Sequence, residues 1–180
     1  FPTRRSSDLI GTAALDCGAD AVYIAGLQFG AREKAGNSFE DVSALCAYAR
    51  KYAVKVYLTL NTILQERELP IAQEYIWRAY ESRCSGIIVQ DLGVLKMELP
   101  KIKLIASTQC DIRTPEKAKL LEQLGFKRLI LARELSLEQI AQISNAVDCE
   151  LEFFVHGALC VCYSGQCYLS EHLTGRSANR

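Results

Sequence analysis

The stretch Leu104-Ile-Ala-Ser-Thr-Gln-Cys-Asp-Ile-Arg-Thr-Pro-Glu-Lys-Ala-Lys-Leu-Leu-Glu-Gln-Leu-Gly-Phe-Lys-Arg-Leu-Ile-Leu131 decides the fold. Leu104 to Ala106 is a short apolar run of the kind a buried parallel strand presents. Thr114 and Pro115 then open a helical pattern that runs to Leu124. A threonine hydroxyl can accept a bond from an orphan N–H of the first turn, and proline suits the first helical position. Gly125 stands where a C-terminal cap belongs, so a tight turn leads into a second strand, Arg128 to Leu131. Strand, helix, strand is the building block of a parallel sheet.

The same alternation extends outward in both directions. Ala21 to Ala25, Val54 to Leu60, Gly86 to Val89 and Leu151 to Val155 read as further strands, and Phe39 to Tyr52, Leu69 to Ser82 and Leu137 to Ala146 as helices. Ser38 and Ser136 precede helical patterns as N-caps, and Gln139 completes a capping box with Ser136. Units of roughly 20 to 35 residues leave two architectures, a (β/α)8 barrel or an open doubly wound sheet. No strand is followed by Gly-x-Gly-x-x-Gly, and polar residues come after nearly every strand end, which favours the barrel. The fold class expected is therefore α/β, a partial (β/α)8 TIM-type barrel with about six of its eight βα units present.

Residues 1–9, Phe-Pro-Thr-Arg-Arg-Ser-Ser-Asp-Leu, share no pattern with the rest of the chain and resemble translated adapter read-through, so they are set aside as a non-native leader. Residues 10–180 are expected to form one barrel domain truncated at both ends, with unpaired parallel edges.

Composition narrows the setting. In 180 residues, 21 Lys and Arg balance 21 Asp and Glu, so no overall field argues for an anionic partner. No apolar run reaches the roughly 18 to 20 residues of a membrane span and no signal peptide is evident, so the expectation is a cytoplasmic protein with no membrane partner. Of the eight cysteines, Cys17, Cys46, Cys84, Cys110 and Cys149 are scattered singly among apolar or helical neighbours, and most of these five read as core thiols.

A barrel places its chemistry at the C-terminal ends of its strands. Those ends supply Asn61, Thr62, Gln90, Asp91, Ser107, Gln109, Arg133, Glu134 and the run from His156 to Cys160. Asn61, Gln90, Asp91, Ser107, Gln109 and Arg133 are the candidate substrate-binding residues; His156, Arg133 and Glu134 are the candidate catalytic ones. Arg133 offers a cation able to grip a carboxylate or phosphate, beside an acid able to orient it. The structural alternative is that these groups cap strands and helices or close the barrel mouth. His156 is read as a general base, a ligand or a satisfied strand-end histidine.

The densest chemistry is Glu152-Phe-Phe-Val-His-Gly-Ala-Leu-Cys-Val-Cys-Tyr-Ser-Gly-Gln-Cys167. Cys160 and Cys167 are candidate metal ligands, for zinc with His156 or for an iron–sulfur cluster, which takes about four thiolates. Reactive or buried thiols and a Cys160–His156 dyad remain open on spacing alone. A serine elbow is absent, and Asp91 and Glu152 do not define a carboxylate pair.

The pattern Glu152-x-Phe154-x-His156-Gly157-Ala158-Leu159-Cys160-x-x-x-Ser164-Gly165-x-Cys167-x-Leu169-Ser170 resembles the signature of the U32, or collagenase-like, peptidase family. Gly18-Ala-Asp-Ala-Val-Tyr-Ile24, Phe29-Gly-Ala-Arg-Glu-Lys-Ala-Gly-Asn37, Leu58-Thr-Leu-Asn61, Ile88-Val-Gln-Asp-Leu-Gly93 and Leu131-Ala-Arg-Glu-Leu-Ser136 agree with it. Ala106 to Lys119 and Thr174 to Arg180 look most like the bacterial branch acting on a cytidine of 23S ribosomal RNA. The resemblance implies a TIM-barrel domain, an iron–sulfur cluster of the 4Fe-4S kind and oxygen-independent RNA hydroxylation linked to prephenate. The implied partners are ribosomal RNA or tRNA and a small organic acid. The implied ligands are Cys160 and Cys167, with Cys162 at a variable position and the remaining ligands beyond Arg180. A collagenase-like peptidase and a non-catalytic RNA- or partner-binding barrel are the alternatives.

Overall fold

The computed structural model describes residues 7–29, 36–157, 162–167 and 169–174. Its elements are α1 (Ser7–Asp16), β1 (Ala21–Ala25), α2 (Phe39–Arg50), β2 (Lys55–Leu60), α3 (Leu69–Glu81), β3 (Gly86–Val89), β4 (Leu104–Ala106), α4 (Pro115–Gln123), β5 (Arg128–Ile130), α5 (Leu137–Ser144), β6 (Glu150–Glu152) and α6 (Leu169–Thr174). All six strands are parallel and pair in chain order. The strand order never reverses, so the fold is a partial (β/α) barrel and not a doubly wound sheet, whose order switches.

The sheet curls. Laid flat, β1 and β6 would lie about 24 Å apart, five strand spacings of about 4.8 Å. Yet the Tyr23 hydroxyl on β1 donates to the Glu152 carboxylate on β6. The two edge strands of the described sheet therefore meet side chain to side chain across a half-barrel interior.

Strand alternation sorts the residues into two layers. Ile24, Val56, Leu58, Ile87, Val89 and Leu129 face outward and are buried against the helices, where Leu45, Ile76, Leu121 and Ile143 meet them. Tyr57, Ile88, Ile105 and Ile130 face inward as a smaller cluster. Gly86 leaves room there, because a Cβ would come within 2.7 Å of the Lys103 carbonyl and 3.2 Å of the Tyr57 ring.

Helix starts obey their local chemistry. The Ser38 hydroxyl accepts from Asp41 N–H while Asp41 Oδ2 accepts from Ser38 N–H, a reciprocal box where the sequence pattern shows only a serine cap. Thr114 caps α4 above Pro115, and Ser136 and Gln139 form the expected box on α5. Gly125 takes the left-handed turn after α4, at φ +99°.

Helix α1 begins at Ser7, within residues 1–9. One difference from the sequence-based expectation has a clear cause. Strand β6 occupies Glu150–Glu152 and not Leu151 to Val155. Leu131 N–H donates to the Glu152 carbonyl, but the next N–H on that side, Arg133, goes to the Ser164 hydroxyl, and the Leu131 carbonyl accepts from Thr108, so β5 offers Phe153 to Val155 no further ladder. Phe154 and Val155 are exposed beyond the strand.

The inward face carries ions as well as apolar groups. Lys103 Nζ lies 2.8 Å from Glu150, and Arg128 lies 2.5 Å from Glu150 and 3.3 Å from Glu152. The Lys103 hydrogen bond first, and then Arg128, lower the Glu150 pKa from 4.5 to about 2. A depressed carboxylate contributes stability above its unfolded pKa and loses it as pH falls through the folded one. Between about pH 4.5 and 2 the protein is therefore expected to lose stability relative to Glu150→Gln. Glu150 is half exposed, so screening holds the difference to about 1 kcal/mol. Thermal melts of both proteins across this range check it, and parallel curves would refute it.

Candidate active site at the barrel mouth

The C-terminal strand ends converge on one mouth. Asp91 accepts Gly93 N–H at 2.8 Å and Leu64 N–H at 2.9 Å, tying the chain after β2 to the chain after β3. Ser107 is buried and accepts Gln109 N–H at 3.1 Å. Both side chains build the rim. Asn61 is partly buried, with its N–H on the Phe29 carbonyl at 3.1 Å. His156 stands exposed after β6, and the Arg133 guanidinium lies 5.7 Å from the centre of the Phe154 ring.

Two buried oxygens face into this end of the barrel with no hydrogen-bond partner among the described residues, Gln90 Oε1 and Thr59 Oγ1. Thr59 lies opposite Ile88 in the ladder, and Ile88 belongs to the inward cluster. An unpartnered buried acceptor is costly, so such atoms mark where a ligand donor fits. Sequence reasoning found Gln90 and missed Thr59, which sits inside a strand and not at its end.

Glu134 has a role different from orienting Arg133. Its Oε1 accepts Ser164 N–H at 2.8 Å and its Oε2 accepts the Ser164 hydroxyl at 3.1 Å. Burial works against its charge, but its own backbone N–H and Ser164 outweigh that and hold the carboxyl below its ordinary pKa. Arg113 completes the clasp. It pairs with Asp111, lies 3.9 Å from Glu134 and stacks 4.3 Å from the centre of the Tyr163 ring. Gly165, at φ +77°, sits so close to the Gln109 carbonyl that a Cβ would overlap it. The turn Tyr163–Gln166 is thus seated between the loops after β4 and β5, and half-buried Cys162 and Cys167 flank it.

Cys160 lies outside the described residues. Among the described ones, no group of three His, Cys, Asp or Glu side chains forms a metal-binding cluster. Cys110 and Cys149 behave as core thiols, each pushed up to about 11 chiefly by burial. Sequence reasoning missed Arg113, Asp111 and Ser164. The one legible signal was the Tyr-Ser-Gly turn between two cysteines.

A half-barrel of parallel strands with polar strand ends, and a cysteine turn clasped across its mouth, is the architecture of a (β/α) barrel. The sequence profile of Peptidase family U32 matches residues 10–180, and the chain belongs to that family. It is 54% identical over 171 residues to the 23S rRNA 5-hydroxycytidine C2501 synthase of Escherichia coli, covering 95% of this chain and 26% of that protein. It is 34% identical to tRNA hydroxylation protein P1 of Bacillus subtilis (93% and 40% covered) and 32% identical to a collagenase of Porphyromonas gingivalis (93% and 44%). The chain therefore spans about a quarter to under half of these relatives. The U32 peptidase Mk0906 shares the fold, with a TM-score of 0.63 at 19% identity over 76% of this chain and 60% of that one.

Proposed function

We propose that the full-length protein hydroxylates RNA, with a cytidine of 23S ribosomal RNA as the substrate and tRNA as the related possibility, in the cytoplasm. The observation that carries this is the 54% identity to the Escherichia coli hydroxycytidine synthase across 95% of the chain. Cys160 and Cys167 are the residues that would hold an iron–sulfur cluster. Their soft thiolates suit iron, and Cys167 leaves the turn that Glu134 and Gln109 seat at the mouth. The remaining ligands then come from the parts of the longer relatives this chain does not span. Such a cluster supplies one-electron chemistry.

The chain's own residues bind and orient. Gln90 Oε1 and Thr59 Oγ1 accept from donor groups such as the cytosine N4 amine, which relieves two orphaned acceptors. Arg133 grips the carboxylate of a small organic acid such as prephenate, and His156 moves protons at the rim. Asn61 and Gln109 complete the lining, while Asp91, Ser107 and Glu134 hold it in shape.

Anaerobic reconstitution of the full-length protein with iron and sulfide, then mass spectrometry of RNA incubated with it and prephenate, tests the proposal. Iron-dependent visible absorption and a hydroxylated cytidine are expected. Iron-independent cleavage of denatured collagen without either would favour the peptidase reading that the Porphyromonas relative suggests.

A further inference from the structure

We propose a second RNA-binding site at the opposite end of the barrel, a cleft that holds one phosphate and stacks one base; it rests on the reading that the substrate is RNA. A cavity of about 520 Å³ opens between the end of α3 and the start of β4, lined by Tyr80, Glu81, Arg83, Lys101 and Lys103 among others. That is the scale of a small-ligand site. It lies at the N-terminal ends of β3 and β4, roughly 13 Å of strand away from the mouth.

Three cations face one acid here, although the whole chain has no net charge. Lys103 is held by Glu150 at 2.8 Å, which leaves Arg83 and Lys101, both exposed, to meet an anion. Arg83 occupies a left-handed turn, at φ +61°. The matching helix-to-strand turns after α1 and α4 use Gly18 and Gly125 at φ +91° and +99°, and the one after α2 uses Ala53 at φ +57°. Glycine is the cheaper residue for that conformation. The Arg83 guanidinium stands on this turn beside the cleft, and its planar donors match a phosphate.

Tyr80 supplies the face for a base. It is 45% exposed, and Trp77 holds its ring edge-on with centroids 6.3 Å apart. Trp77 is fixed in turn, its indole N–H donating to the Glu98 carbonyl at 3.1 Å. An exposed ring beside two cations is how single strands are bound without sequence preference, the backbone on the charges and a base on the ring. One RNA then contacts the protein twice, with the cleft adding affinity and the mouth doing chemistry.

Fluorescence anisotropy of the full chain with a labelled 12-nucleotide RNA across a salt series tests the cleft. Arg83→Glu with Lys101→Glu is expected to weaken binding at least 10-fold and to reduce the slope of log K against log salt by about 0.7, one single-strand phosphate's worth. Tyr80→Ala is expected to weaken binding about 5- to 100-fold with the slope unchanged, and Tyr80→Phe to restore it. Lys96→Glu with Lys119→Glu, exposed elsewhere, is the control. Should the charge variants misfold, photo-crosslinking of 4-thiouridine RNA to the wild type is expected to mark the peptide carrying Tyr80 and Arg83, and adducts confined to the mouth would overturn the site. Binding indifferent to Arg83, Lys101 and Tyr80 overturns the cleft alone. A wild-type protein that binds no RNA overturns the parent reading as well.

Discussion

With the proposed iron–sulfur cluster on Cys167, replacing Gly165 by alanine is expected to lower iron retention after anaerobic reconstitution by about 10- to 100-fold, the usual cost of disturbing a group that orients a metal ligand, while leaving the barrel's thermal stability nearly unchanged. A Cβ at this position overlaps the Gln109 carbonyl, which belongs to backbone fixed by the Ser107 cap. The left-handed φ of +77° adds roughly 1 to 2 kcal/mol for any L side chain. The turn must therefore lift from its seat, and as it lifts Ser164 leaves Glu134 and Tyr163 leaves Arg113. Cys167 then swings with the turn. The core packs below this level, so unfolding should not register the change.

Glu134→Ala is expected to act in the same direction by removing the other half of the seat. Two readouts separate seating from ligation. Iron content falls in both variants, and the Cys167 thiol of the cluster-free protein reacts faster with maleimide, because a half-buried thiol becomes exposed. Full iron content together with unchanged maleimide rates in Gly165→Ala would refute the clasp.

The sequence carried the elements further than the site. Strands β1, β3 and β4 begin and end where their apolar runs do, and Thr114, Ser136 and Gly125 punctuate the helices as their local chemistry dictates. These features are settled within a few residues of chain. What was not legible joins residues far apart in sequence: Tyr23 with Glu152, Arg128 with Glu150 on the next strand, Glu134 with Ser164. Glu150 is a charged residue beginning a strand, which apolar patterning skips, and that is why the pattern places β6 too late. Arg133-Glu134 looks like a pair because the two are adjacent. Adjacent residues after a strand diverge, so Glu134 reaches the cysteine turn while Arg133 extends over Phe154.

Arg128→Met is expected to destabilise the fold by about 3 kcal/mol, the lower end of what breaking a buried ion network costs. Arg128 is the hub of the barrel floor. Its side chain is 15% exposed, contacts Glu150 and Glu152, and lies 5.0 Å from the centre of the Tyr57 ring. Burial alone would lower its pKa, but the hydrogen bond to Glu150 reverses this and holds the group above its ordinary value. Removing it leaves Glu152 facing Tyr23 with no cation. Burial first, and the Glu152 contact second, already raise the Tyr23 pKa, so the phenol cannot take the charge over. Glu150 keeps Lys103 and half its exposure to water, so the loss falls mainly on Glu152, and with it on the link between β1 and β6. For a chain of this size the change corresponds to a melting temperature lower by about 6 to 12 °C. Adding Glu152→Met should recover part of it, because an apolar pair replaces a stranded charge. A double variant less stable than Arg128→Met would instead mean that the Tyr23–Glu152 contact holds the curl of the sheet without help from the arginine.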